Sequence, residues 1–167
     1  MIVTETSRLI LRELTPSDAD FMYRLNLDPE VIKYTGDKPF DDIDAARLFL
    51  ENYDHYQKYG FGRWAVLLKE DQSLIGWCGL KYDTVKDEFD VGFRFFREHW
   101  SKGYATEAAG ASINLGFKRF QIATIVGRAM SQNLASINVL QKLGMKYWKV
   151  ELCGQVPGVV YRMNNPY

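Results

Sequence analysis

Two different hydrophobic periods divide this chain. From Asp41 to Tyr59 apolar and aromatic residues recur at helical spacing (Ala45, Leu48, Phe49, Tyr53, Tyr56), which predicts one long helix closed by Gly60. From Phe61 onward the period is that of strands. Phe61–Lys69 and Leu74–Tyr82, separated by the polar Glu70-Asp71-Gln72-Ser73, predict a hairpin. A third strand, Phe89–Phe96, completes an antiparallel meander. The last third alternates: a helix over Tyr104–Phe120, a strand over Ile122–Ala129, a helix over Leu134–Leu143, then strands Met145–Leu152 and Val159–Met163. A strand, a helix of that length and another strand favour a parallel crossover. The expected fold is therefore α/β (α+β mixed). Its sheet is mostly antiparallel and locally parallel around the Phe89 and Ile122 strands, with helices on both faces.

The front of the chain is shorter-ranged. Leu9-Ile10-Leu11 reads as a strand, and Thr15-Pro16-Ser17-Asp18 opens a helix running to about Asn26. Asp28–Tyr34 reads as a short helix. No repeat or linker interrupts the 167 residues, so a single domain spanning 1–167 is expected. A chain of this size buries roughly two-thirds of its unfolded surface. With 47% hydrophobic and 25% charged residues it is not a disordered chain. Lys+Arg 21 balance Asp+Glu 21, which argues against a nucleic-acid partner. No apolar run approaches the ~20 residues of a membrane span, and the N-terminus does not read as a signal peptide. Cys78 and Cys153 are too few for a disulfide scaffold, and with His55 and His99 they show no metal-ligand spacing, so no metal is expected. The expected compartment is cytoplasmic.

The segment Arg97-Glu98-His99-Trp100-Ser101-Lys102-Gly103-Tyr104-Ala105-Thr106-Glu107 follows a strand and opens a helix. Free amides at a helix N-terminus make an anion site. Gly103 permits close approach, and Arg97 and Lys102 add positive charge. It lacks the Gly-Lys-Ser/Thr of a P-loop and the glycines of a dinucleotide fingerprint. Two readings stand side by side: a phosphate cradle, or a tight strand-to-helix turn.

Trp100-Ser101-Lys102-Gly103-Tyr104-Ala105 resembles the Q/R-x-x-G-x-G/A loop of the GNAT superfamily of N-acetyltransferases, departing from it at Trp100. The longer string W-x-x-G-Y-A-T-E-A is similar to the ribosomal-protein N-terminal (RimJ/RimL-like) branch. A second stretch, Asn133 to Met145, resembles that branch's N-x-x-S-x-x-V/L-x-x-K-L-G-F/M. Ser7–Arg12, Asp28–Val31 and Leu74–Leu80 echo it further, so the likeness spans nearly the whole chain. It implies a GNAT-like sheet with a splayed parallel pair, and acetyl-CoA as co-substrate. The cofactor-binding set it implies is Phe93, Arg94, Phe95, Arg97, Ser101, Lys102, Gly103, Tyr104, Ala105, Thr106, Asn133 and Asn138. Asn133 also reads as a helix N-cap.

The implied reaction is direct transfer of acetyl to a primary amine, a peptide N-terminus or a small molecule, in a ternary complex. An opened strand edge would hydrogen-bond the pantetheine arm, and a backbone N–H would polarise the thioester carbonyl. The superfamily's tyrosine on the last helix falls at Leu140, so Ser136, one turn earlier, is the catalytic candidate as hydrogen-bond donor to sulfur; it reads equally as part of the helix cap. Glu88, Asp90 and Glu151 are candidate bases and read otherwise as solvated surface charges. Asp28–Pro39 with Trp64 and Trp77 would line the acceptor groove. Glu107 is assigned to the helix dipole. Cys78 reads as a buried strand cysteine. The alternatives are a module that holds CoA without turnover and a nucleotide-binding regulator unrelated to CoA. Free edge strands leave a homodimer open.

Overall fold

The computed structural model describes residues 1–167. In chain order it contains β1 (Ile2–Glu5), β2 (Leu9–Glu13), a 3-10 turn at Pro16–Asp18, α1 (Ala19–Leu27), α2 (Pro29–Ile32), α3 (Ile43–Glu51) and α4 (His55–Tyr59). The meander follows as β3 (Arg63–Leu68), β4 (Leu74–Asp83) and β5 (Glu88–Phe95). A 3-10 turn at Arg97–His99 leads to α5 (Tyr104–Lys118), β6 (Thr124–Met130), α6 (Leu134–Lys142), β7 (Lys146–Cys153) and β8 (Val156–Asn164).

All eight strands join one sheet in the order β1-β2-β3-β4-β5-β6-β8-β7. Every neighbouring pair is antiparallel except β5 and β6, which the α5 crossover makes parallel. Two packed layers cover the sheet. On one face α5 and α6 close over Trp64, Val66, Leu80 and Ile125. On the other, α1 and α3 bury Phe21, Met22, Leu25, Ala46 and Leu50. Each such large side chain contributes roughly 1.5–3 kcal/mol on burial. A Cβ at Gly127 would lie 2.5 Å from Leu140 Cδ2, so hydrogen alone at this position lets α6 settle on β6.

Two elements depart from the sequence reading. The expected helix over Asp41–Tyr59 is two helices, broken at Asn52–Asp54. Asn52 ends α3 with ψ near 0. Within and just beyond the break two tyrosines are tied down. Tyr53 Oη accepts from the Arg63 amide at 2.7 Å, and Tyr56 Oη accepts from the Leu14 amide at 3.0 Å and donates to the Arg63 carbonyl. These tertiary bonds override a spacing that fits a continuous helix. The second departure is β1, which is short and gains its place by pairing with β2.

Asp18 anchors the entry to α1. Burial pushes its carboxyl up, but hydrogen bonds from Arg12 and the Thr15 amide outweigh that and hold it below the usual carboxylate range. Arg12 reaches both oxygens at 2.8 Å. A depressed carboxylate adds stability that is present above its unfolded pKa and lost as pH falls through that range. Asp18→Asn is therefore expected to cost about 3 kcal/mol at neutral pH in urea unfolding, the low end for breaking a buried pair. The gap should narrow on acidification below about pH 4.

Candidate active site

The parallel pairing of β5 with β6 covers only Phe89↔Ile125, Asp90↔Val126 and Val91↔Gly127. Beyond Val91 the strands part: β5 continues to Phe95 beside β4, while β6 turns along β8 from Arg128 to Met130. The Phe96 amide donates to the Ile75 carbonyl of the neighbouring chain segment. Backbone groups alternate sides along a strand, so those of Phe95 and Phe93 face the widening gap. Trp100, where the family pattern has Gln or Arg, donates its indole N–H to the Phe95 carbonyl at 2.9 Å. The Phe93 N–H and C=O and the Phe95 N–H are left facing the gap without a partner strand.

This gap opens into a cavity of about 590 Å³. Its wall gathers Phe93, Arg94, Phe95, Ser101, Gly103, Tyr104, Ala105, Thr106, Asn133, Ser136 and Asn138 from the sequence-predicted set. Arg97 and Lys102 lie outside that wall; the Arg97 guanidinium is paired with Asp28 instead. The opposite wall comes from α2 and the residues after it, among them Lys33 and Tyr34. Sequence reasoning assigned that segment to an acceptor groove. His99 and Lys142 also line the cavity. Lys142 is the lysine of the Asn133–Met145 motif, whereas no motif marks Lys33, which only the folded arrangement finds.

The turn into α5 is held from the far end of the chain. Gly103 adopts φ +82, the left-handed region that favours glycine. The first ladder bond of α5 runs from Glu107 N–H to the Gly103 carbonyl, so the amides of Tyr104, Ala105 and Thr106 have no helical partner. Arg8 brackets this turn: Nη1 donates to the Lys102 carbonyl at 2.9 Å, Nε donates to Glu107 at 2.7 Å, and the guanidinium lies 4.5 Å from the Tyr104 ring centroid. Glu107 also accepts from the Thr6 and Ser7 hydroxyls and the Arg8 amide. Burial pushes its carboxyl up, but those bonds and the Arg8 charge bring it below the usual range. The helix dipole alone does not explain Glu107; it ties the start of α5 to the Thr6–Arg8 segment.

On α6, Asn133 Oδ1 accepts from the Ser136 amide, capping the helix. Its Nδ2 donates to Ser136 Oγ at 3.0 Å, which leaves the Ser136 proton free. Leu140 is 1% exposed and sealed in the core against Gly127. It offers no polar group to the cleft.

The three candidate bases are not solvated surface charges. Glu88 and Glu151 both pair with Arg128, Glu151 at 2.6 Å. Asp90 pairs with Arg63 at 2.5 Å. The hydrogen bond from Arg128 outweighs burial and holds the Glu151 carboxyl below its usual range. Cys78 is buried against Ser112, and burial pushes its thiol up to about 12, so it is inert at neutral pH.

A second cavity of about 230 Å³ lies on the α1–α3 face of the sheet, behind β5. Leu14, Met22, Phe40, Phe49 and Trp77 form its apolar walls, with Arg63 and Arg94 as cations. Arg94 belongs to the walls of both cavities, so it stands between them. Its guanidinium is committed to the smaller one, where Nη1 donates to Asn26 at 2.8 Å and Nη2 to Asp37 at 2.7 Å. Trp64, expected beside Trp77, is 1% exposed and belongs to the opposite core.

Residues 8–146 match the acetyltransferase (GNAT) domain family. The N-acetyltransferase p20 of Bacillus licheniformis is 32% identical over 84% of this chain and 80% of its own. The ribosomal-protein-S5-alanine acetyltransferase of Vibrio fischeri superposes with a TM-score of 0.84 at 16% identity, over 99% of this chain and 98% of that one. The spermidine N-acetyltransferase of Vibrio cholerae, solved with CoA and spermine, gives 0.79 at 18% identity over 96% and 97%. These two likenesses are of fold, and their acceptors differ, so fold alone does not choose an acceptor. The span of the family match and the identity to p20 decide the matter: the chain belongs to the GNAT family of acetyltransferases and is an acetyl-CoA-dependent N-acetyltransferase.

Proposed function

We propose that residues 1–167 act as one acetyltransferase domain of RimJ/RimL-like type, working in the cytoplasm, that acetylates a primary amine by direct attack in a ternary complex. One observation carries the reading: the unpaired edge of β5 and the free N-terminus of α5 open into the same cavity. Acetyl-CoA needs both, an extended edge for its amide-bearing arm and an anion cradle for its pyrophosphate. The Phe93 backbone and the Phe95 N–H are assigned to the arm, and the amides of Tyr104–Thr106, with Ser101 and Gly103, to the pyrophosphate. Lys102 adds long-range positive potential rather than contact, while the charge of Arg97 is taken up by Asp28. Asn133 acts by orienting Ser136, and Asn138 lines the same wall.

The amine, with pKa near ~8 when it is a peptide N-terminus, must first lose a proton. Glu88, Asp90 and Glu151 are each tied to arginine, so water carries that proton away. The free nitrogen attacks the thioester carbonyl carbon, and a β5 backbone N–H supports the developing oxyanion. The C–S bond then breaks and the thiolate takes a proton, with the Ser136 hydroxyl placed as donor. Arg8 and Glu107 are positioning residues that hold the turn open to phosphate.

Gly103→Glu is expected to lower acetyl-CoA affinity by at least about 100-fold in calorimetric titration, because the new carboxylate occupies the anion site. Gly103→Ala carries the same backbone strain without the charge and should lose far less; equal losses would mean that the turn's conformation alone matters. Ser136→Ala should lower kcat on the order of 100-fold with little change in the KM for acetyl-CoA. An unchanged kcat would remove Ser136 from the mechanism.

A further inference from the structure

The smaller cavity carries chemistry that the cofactor side does not use. Two residues of its wall, Arg94 and Trp77, each carry a buried nitrogen donor with no hydrogen-bond partner, Nε and Nε1. The Arg94 side chain is only 10% exposed. Trp77 lies between Arg63 and Arg94, whose guanidiniums are 5.5 and 5.2 Å from its ring. Burying such donors unpaired is unfavourable, and an incoming acceptor oxygen would satisfy them. The charge around them has one sign in excess. Lys38, Arg63 and Arg94 line the cavity against the single carboxylate of Asp37. Asp90 neutralises Arg63, and Lys38 pairs with no carboxylate, so the balance remains positive.

Asp37 is the movable piece. Its side chain is 55% exposed, it sits between α2 and α3 outside any helix or strand, and its carboxylate rests on Arg94 Nη2. In that seat it does what a ligand carboxylate would do. Once it moves off, a planar carboxylate fits the guanidinium fork and the neighbouring indole N–H.

We propose that this cavity is an acceptor-carboxylate site: the amine substrate carries a carboxylate bound by Arg94 and Trp77, and an apolar body against Met22, Phe40 and Phe49. Asp37 occupies the seat when the acceptor is absent. This rests on the acetyl-transfer reading above and narrows its acceptor to compact amino acids, with apolar α-amino acids such as leucine preferred over polyamines. The placement is consistent with transfer, because Arg94 sits on the stretch of β5 that has parted from β6 and separates the two cavities.

The test is calorimetry on the CoA-loaded protein, which reads binding apart from turnover. N-acetyl-leucine is compared with N-isopentylacetamide, which has the same apolar body and amide without the carboxylate. Wild type should bind N-acetyl-leucine about 10- to 100-fold more tightly, the range for a charge-assisted bond. Arg94→Gln should abolish that preference. Asp37→Asn, at an exposed position where folding is not at stake, should tighten N-acetyl-leucine by releasing the seat. Equal binding of the two compounds, no binding of either, or weaker binding to Asp37→Asn would overturn the proposal. Competition kinetics with leucine, isopentylamine and spermidine add a second readout, and preference for either carboxylate-free amine would also contradict it. Loss of CoA loading itself would fault the cofactor assignment instead, which the Gly103 variants report separately.

Discussion

Backbone groups of a β-strand must find partners, and at the centre of this sheet some of them do not. β5 and β6 pair for three residues and then separate. An internal strand is thereby given an edge without being moved to the sheet's rim. The separation is stable because each strand keeps its other neighbour: β4 holds β5 along its whole length, and β8 holds β6. Trp100 satisfies one exposed carbonyl from within the chain, and the groups that remain are those a bound extended ligand can use. The same divergence puts the N-terminus of α5 beside that edge, so one topological event creates both halves of the proposed cofactor site.

The turn that begins α5 depends on contacts remote in sequence. Glu107 gathers hydrogen bonds from Thr6, Ser7 and Arg8, and Arg8 reaches on to the Lys102 carbonyl. The loop proposed to bind phosphate is crowded with like-oriented N–H groups and has a glycine in a left-handed conformation. Cross-linking it to the first strands restrains it without covering the amides. The smaller cavity, proposed to take the acceptor, is organised differently, by arginines near Trp77 that are paired with carboxylates. Polar order there is fixed by charge pairs, and the freedom to exchange partners lies with exposed Asp37.

Much of this was legible in the sequence, for identifiable reasons. The meander and the crossover follow from period and connection length, and both appear in the sheet order. The loop at 100–105 and the stretch from Asn133 carry local motifs, and the capping role of Asn133 is a local interaction. What was not legible depends on distance in sequence. Nothing near Tyr53 announces that its hydroxyl will bind the Arg63 amide and break the helix. Nothing near Glu107 announces Arg8. Glu88, Asp90 and Glu151 read as surface charges because their arginine partners come from other strands. The Arg94–Trp77 pair is a cross-strand neighbour relation, visible only once the β4–β5 register is known.

The edge opened beyond Val91 and the first amides of α5 are proposed to bind one ligand together. Amide hydrogen exchange, resolved by residue with and without CoA, tests it most directly. Phe93, Phe95 and Tyr104–Thr106 are expected to exchange readily in the free protein and to become protected together when CoA is added, with no comparable change at Ile125–Gly127, where the strands already pair. Protection of the α5 amides without any at Phe93 and Phe95, or none at either, would contradict it.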